Sequence, residues 1–133
     1  MWTDHEKTER KIWGILGLHR LSSLQTYGEN LNMEKLHDRD IREPLFGFLE
    51  ETYGRIRILE EKTMGKSRAD IVMVTPEYLY GIEIKSDADT YARLARQVKD
   101  YDSYYDYNIV VVGSSHALHI EEHVPDYWGI ITV

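Results

Sequence analysis

Cysteine is missing altogether from the 133 residues, which excludes a disulfide framework, an iron–sulfur cluster and thiolate-bound zinc. The absence fits a reducing compartment. Proline is scarce, at three residues, and neither an internal repeat nor a low-complexity tract interrupts the chain. No apolar run approaches the roughly 20 residues that cross a bilayer, and the N-terminus is polar and charged rather than signal-like. A soluble, cytoplasmic protein with no membrane partner is the expectation. Positive charge is also short: 16 Lys and Arg stand against 23 Asp and Glu, a net charge of −7. That balance argues against a passive coat for nucleic acid, which would be basic. A nuclease remains compatible with it, because a carboxylate-rich metal site is itself acidic.

A hydrophobic content of 42% over this length fits one compact domain whose core needs no staple. Residues 1–37 read as a helical extension. Ile12, Trp13, Ile15, Leu16, Leu18, Leu21 and Leu24 recur at helical spacing between residues 5 and 24, and Gly28 to Asn32 reads as a turn. The extension is expected to pack on the domain or on a second copy, giving a route to a homodimer or larger complex. Asp40 and Glu43, with Pro44, predict a capping box and first turn, and Leu45, Phe46, Phe48 and Leu49 supply a buried side up to Gly54. Strands are expected at 55–59, at 68–74 after the Gly65–Ser67 turn, and at 78–85 after Thr75–Glu77. Ser86–Asp89 breaks the pattern with two candidate N-caps before a helix over 90–104. Ile109–Val112 is a continuous apolar strand, buried on both faces. A short helix over 117–123 and a strand over 129–133 close an α/β sandwich with a mixed sheet.

The chemistry concentrates in Arg68-Ala69-Asp70-Ile71-Val72-Met73-Val74 and Ile82-Glu83-Ile84-Lys85. Alternation along a strand turns Glu83 and Lys85 to one face and Ile82 and Ile84 to the other. Two charges on a core-forming strand are costly without a partner. A divalent cation between Asp70 and Glu83, with Lys85 beside it, would offset that cost. Lys62, Lys66 and Arg68 on one side, and Arg93, Arg96 and Lys99 on the other, flank this group with positive charge. The bland alternative is a surface ion-pair cluster on a hairpin with solvated basic faces.

Asp70, a hairpin and then Glu83-Ile84-Lys85 resemble the core of the PD-(D/E)XK nuclease superfamily. Gln97-Val98-Lys99-Asp100-Tyr101 resembles the Q-x-x-x-Y helix of its exonuclease-like branches. The run from Glu83-Ile84-Lys85-Ser86-Asp87 through Arg93-Leu94 to Gln97 and Tyr101, with Val124-Pro125-Asp126-Tyr127-Trp128-Gly129-Ile130, resembles a group of small bacterial and phage proteins in that superfamily. One departure is Ala69, where the superfamily has proline. The resemblance covers about residues 38–133. It implies a restriction-endonuclease-like αβββαβ core, with helices flanking a mixed central sheet and the N-terminal helical extension outside it. It also implies phosphodiester hydrolysis with Mg²⁺ or Mn²⁺ held by Asp70, Glu83 and the Ile84 carbonyl, and Asp70, Glu83 and Lys85 as catalytic residues. Nucleic acid, DNA first, is the expected partner. Positioning and electrostatics are the expected role of Lys85, since adjacent carboxylates favour a charged ammonium.

Arg93, Gln97 and Tyr101 share one helical stripe, and the resemblance makes them candidate substrate contacts and supports of the metal site. A further acidic ligand is open among Glu43, Glu50, Glu51, Glu60 and Glu61, of which alternation would send only one of the last two towards Asp70. Gly65-Lys66-Ser67 fails as a Walker A loop because Glu60 stands where the first glycine is required and a strand follows. His116, His119 and His123 are spaced for one helix face and offer a three-histidine metal site as a rival. The second functional reading is a noncatalytic nucleic-acid-binding or complex-assembly module that keeps the nuclease fold.

Overall fold

A five-stranded mixed sheet, its strands side by side in chain order, forms the centre of the computed structural model. The structure describes residues 36–133; the expected helix over 5–24 and the turn at 28–32 lie outside the described residues. Helix α1 (Asp38–Tyr53) precedes the antiparallel strands β1 (Arg57–Met64), β2 (Ser67–Val74) and β3 (Leu79–Lys85). Helix α2 (Leu94–Tyr104) then crosses over to β4 (Tyr107–Val112), which lies parallel to β3. A connection holding a single 3-10 turn (Ile120–Glu122) leads to β5 (Gly129–Thr132), parallel to β4. No helix among the described residues is long and apolar enough to cross a membrane.

The two faces of the sheet are covered differently. Ile41, Leu45, Phe48 and Leu49 of α1 pack on Ile71, Met73, Ile82, Ile84, Ile109 and Val111. Each fully buried aliphatic there contributes about 1.5–3 kcal/mol. On the opposite face Leu94 and Tyr101 of α2 join Val72, Val110, Val112, Ile120, Val124 and Trp128. Both faces of β4 are therefore buried, as its unbroken apolar run demands. Strand β1 is an edge, and its charged residues Arg57, Glu60, Glu61 and Lys62 keep a largely exposed strand from pairing further.

Four boundaries differ from expectation for local reasons. Strand β1 runs on to Met64 instead of ending at 59, because it pairs with β2 up to the turn at Gly65. Helix α1 starts at Asp38, because Arg42 pairs one turn back with Asp38. Asp40 is thus the third helical residue, and its carboxylate accepts the His37 N–H at 3.0 Å. Helix α2 starts only at Leu94, since neither candidate cap is at its N-terminus. Asp89 accepts both the N–H and the hydroxyl of Ser86, while Asp87 accepts the Leu36 N–H at 2.9 Å and the Ser115 hydroxyl at 2.5 Å. The segment over 117–123 forms only the short 3-10 turn.

The Pro125–Gly129 motif is explained by Asp102. Its carboxylate accepts the Trp128 indole N–H at 2.8 Å, the Asn108 amide at 3.1 Å and the Tyr127 hydroxyl. Trp128 then meets Tyr101 edge-on, with ring centroids 5.4 Å apart. The motif braces α2 against the sheet.

Candidate active site

The ladder between β2 and β3 runs from Val74 and Leu79 to Ile71 and Ile82 and stops there. The next residues on each strand are Asp70 and Glu83. Freed from the ladder, the Ile84 N–H donates to Asp70 Oδ2 at 2.8 Å. The Asp70 N–H donates to the Tyr101 hydroxyl oxygen at 3.2 Å. That hydroxyl in turn donates to Glu83 Oε2 at 2.5 Å and lies 3.0 Å from the Ile82 carbonyl. Gln97 joins the other side: its amide Nε2 donates to Glu83 Oε1 at 3.0 Å, and its Oε1 accepts from Lys85 Nζ at 3.2 Å. Lys85 Nζ stands 3.6 Å from Glu83 Oε1. Asp70, Glu83 and Lys85 therefore meet where β2 and β3 part, with Glu83 and Lys85 on one face as alternation predicted.

Glycine at position 81 makes this contact possible. It lies on the same face as Glu83, and a Cβ there would sit 2.4 Å from Tyr105, 2.5 Å from Asn108 and 2.5 Å from Tyr101. No other residue lets α2 approach closely enough for Tyr101 to reach Glu83.

The stripe Arg93, Gln97, Tyr101 runs from surface to core. Arg93 is exposed at the mouth of the site, Gln97 is half-buried, and Tyr101 has 0% exposure. The expectation that Tyr101 contacts substrate is corrected accordingly: its ring is sealed and its hydroxyl holds Asp70 and Glu83. Gln97 has both ends of its amide committed to Glu83 and Lys85. Arg93 alone of the three is exposed.

Burial raises the Glu83 carboxyl, with Asp70 adding to it, to about 8. Burial likewise raises Asp70, against the Ile84 N–H and Arg42, which pull it down. Lys85 beside Glu83 and Arg42 beside Asp70 only partly offset the burial of two adjoining acids. Oxygen donors in this condition suit a hard divalent cation, and Mg²⁺ needs only one or two carboxylates with waters completing its shell. Among the described residues no group of three or more His, Asp or Glu is arranged to hold a metal ion, so the site offers Asp70, Glu83 and the Ile84 peptide and no fuller cage. The three-histidine rival is not assembled. His116 donates from Nε2 to the Ser86 carbonyl at 2.9 Å and meets the Tyr91 hydroxyl at 2.7 Å, His123 stacks on Tyr91, and His119 lies beside Glu122.

Around these groups lies an open cleft of about 430 Å³. Lys66 of the β1–β2 turn and Arg68 at the start of β2 line one wall, and Arg93 and Arg96 line the other, with Asp38, Asp70, Glu83 and Lys85 between. Lys62 and Lys99 are not among the lining residues. The Ser67 hydroxyl donates to Asp100, tying the turn to α2. The protein is acidic overall, yet this cleft carries five cationic side chains.

Of the five glutamates considered as a further ligand, none meets Asp70 directly. Glu60 and Glu61 both bond to Arg42, at 3.1 and 2.7 Å. The expectation that only one would turn inward fails because Glu61 takes a left-handed backbone, φ 55°, which breaks the alternation. Asp89, which holds Ser86, lines the cleft, as does Asp38, an acid not considered from sequence. The four-residue spacing of Asp38 from Arg42 was the available signal.

The family model described as bacteriophage P4 protein cII matches residues 32–133. No curated protein and no solved structure matches the chain. The match spans the helix, the sheet and every residue of the cleft, and the chain belongs to the bacteriophage P4 protein cII family.

Proposed function

We propose that this protein is a metal-dependent nuclease of the PD-(D/E)XK type, built on a restriction-endonuclease-like core and acting on nucleic acid, DNA first. The observation that carries this reading is the meeting of Asp70, Glu83 and Lys85 at the point where β2 and β3 part, inside a cleft walled by Lys66, Arg68, Arg93 and Arg96. Asp70, Glu83 and the Ile84 carbonyl would hold Mg²⁺ or Mn²⁺. The ion, when bound, supplies a water of lowered pKa and neutralises charge on the scissile phosphate.

The remaining work falls to the chain. Tyr101 and Gln97 fix the two Glu83 oxygens, so the carboxylate is oriented before substrate arrives. Lys85, held by Gln97 with its charge towards the cleft, stabilises the negative oxygen that develops on phosphorus. Water oxygen bonds to phosphorus, the bond to the leaving sugar oxygen breaks, and a proton passes to that oxygen. The cationic walls seat the flanking phosphates.

The test is cleavage of single- and double-stranded DNA and RNA with Mg²⁺ or Mn²⁺, for wild type, Asp70→Asn and Glu83→Gln. Each variant is expected to lose about 10³-fold or more of the rate, since each removes a charged metal ligand, while melting no lower than wild type without metal. Undiminished cleavage in both variants assigns the chemistry elsewhere. A wild type that binds nucleic acid and cleaves none of the substrates favours the noncatalytic module.

A further inference from the structure

Arg42 stands in the second turn of α1 with its side chain only 17% exposed. Four carboxylates from three elements converge on its guanidinium. Asp38 Oδ1 lies 2.5 Å from Nε, Glu61 Oε1 2.7 Å from Nη2, Glu60 Oε1 3.1 Å from Nη1 and Asp70 Oδ1 3.9 Å from Nη2. Nη1 also donates to the Asp70 carbonyl at 3.4 Å. The arrangement is built at some cost, because a non-glycine residue with positive φ costs about 1–3 kcal/mol, and that conformation at Glu61 brings two consecutive glutamates to the same cation. The second oxygen of Glu61 is held by Arg68 at 2.9 Å.

Asp70 therefore has two unlike sides. Oδ2 takes the Ile84 N–H, on the side of Glu83, and Oδ1 faces Arg42. Many phosphoryl-transfer sites place two metal ions on opposite sides of such a carboxylate, about 3.5–4 Å apart. Here a guanidinium already stands on one of those sides, and a second divalent ion would meet its charge at close range. Arg42 does not line the cleft.

We propose that Arg42 is a positioning residue that serves as the fixed second cation of the site, anchoring Asp70 through Oδ1 and limiting the protein to a single divalent ion on the Glu83 side. This rests on the metal-dependent reading above. It makes a claim that cleavage assays do not reach: the number of ions is set by an arginine behind the carboxylate.

The test titrates the full chain with MnCl₂, by calorimetry and by electron paramagnetic resonance of free Mn²⁺, with a thermal melt of each protein. Wild type is expected to take up a single Mn²⁺, and Glu83→Gln to bind it at least about tenfold more weakly. Arg42→Gln frees Asp38, Glu60, Glu61 and Asp70 together and is expected to gain a second Mn²⁺. Arg42→Lys, which keeps a cation there, is expected to bind one. A second ion in wild type or in Arg42→Lys overturns the inference and leaves the nuclease reading standing, as does a folded Arg42→Gln with unchanged stoichiometry. Should Arg42→Gln fail to fold, the wild-type and Arg42→Lys stoichiometries decide. A wild type that takes up no Mn²⁺, or one whose uptake Glu83→Gln leaves unaltered, overturns both.

Discussion

Strand β3 presents two opposite environments within five residues. Ile82 and Ile84 enter a layer of aliphatic side chains under α1, where little is directional and almost any well-filled packing is stable. Gly81, Glu83 and Lys85 face α2, where both Glu83 oxygens and the Lys85 ammonium are held by named partners at short distances. The apolar side supplies the free energy that lets the polar side exist. A buried carboxylate, a buried ammonium and a sealed tyrosine are each unfavourable alone, and they are tolerated because the opposite face is anchored by ordinary burial.

The comparison can be broken most severely by changing one residue on each face. Ile82→Ala should cost about 2–5 kcal/mol in urea denaturation, by a similar amount at every pH. Glu83→Gln should do the reverse in metal-free protein. Folding raises the Glu83 carboxyl from 4.5 to about 8. Its contribution to stability is therefore full below 4.5 and is lost as pH rises through about 8. Asp70 shifts in the same direction. The glutamine variant does not titrate, so its advantage over wild type should widen to about 2 kcal/mol or more between about pH 5 and about pH 8. Parallel melting curves for the two proteins over that range would mean that Glu83 is not held in an unfavourable charged state.

Tyr101→Phe sharpens the comparison at its midpoint, since this ring belongs to the apolar layer and its hydroxyl to the polar one. Losing the hydroxyl strands the Asp70 N–H and should cost about 1–3 kcal/mol. If Tyr101 positions Glu83, kcat falls while KM for nucleic acid stays near its wild-type value. A rise in KM at unchanged kcat would restore the substrate contact that burial argues against.

The mildest change lies at the cleft mouth. Arg93→Ala should leave melting temperature and Mn²⁺ binding unaltered and reduce the slope of log affinity against log salt by about one. The measurement is nucleic-acid binding across a salt series in Ca²⁺. A slope equal to that of wild type would place Arg93 among ordinary solvated arginines.

Much of this architecture was legible before any coordinates. The antiparallel pair β2–β3 follows from two strand patterns around a turn, the buried β4 from its unbroken apolar run, and the shared face of Glu83 and Lys85 from alternation. Depth was not legible. A four-residue spacing places Arg93, Gln97 and Tyr101 on one stripe without telling that the stripe runs from solvent into the core. Nor was the convergence of Glu60 and Glu61 on Arg42, because it depends on a left-handed residue at Glu61 that no local pattern announces. The late start of α2 had the same kind of cause, Asp87 and Asp89 having closer partners than a helix end.

Gly81 sets a tolerance for the whole site. The gap between β3 and α2 admits a hydrogen atom and refuses a methyl group, so widening it would lift Tyr101 off Glu83 with every charged residue still in place. A related chain can thus carry the aspartate, the glutamate and the lysine intact and yet be silent. Judging such a chain by its charges alone would miss the fault, which would lie in one residue that carries no functional group at all.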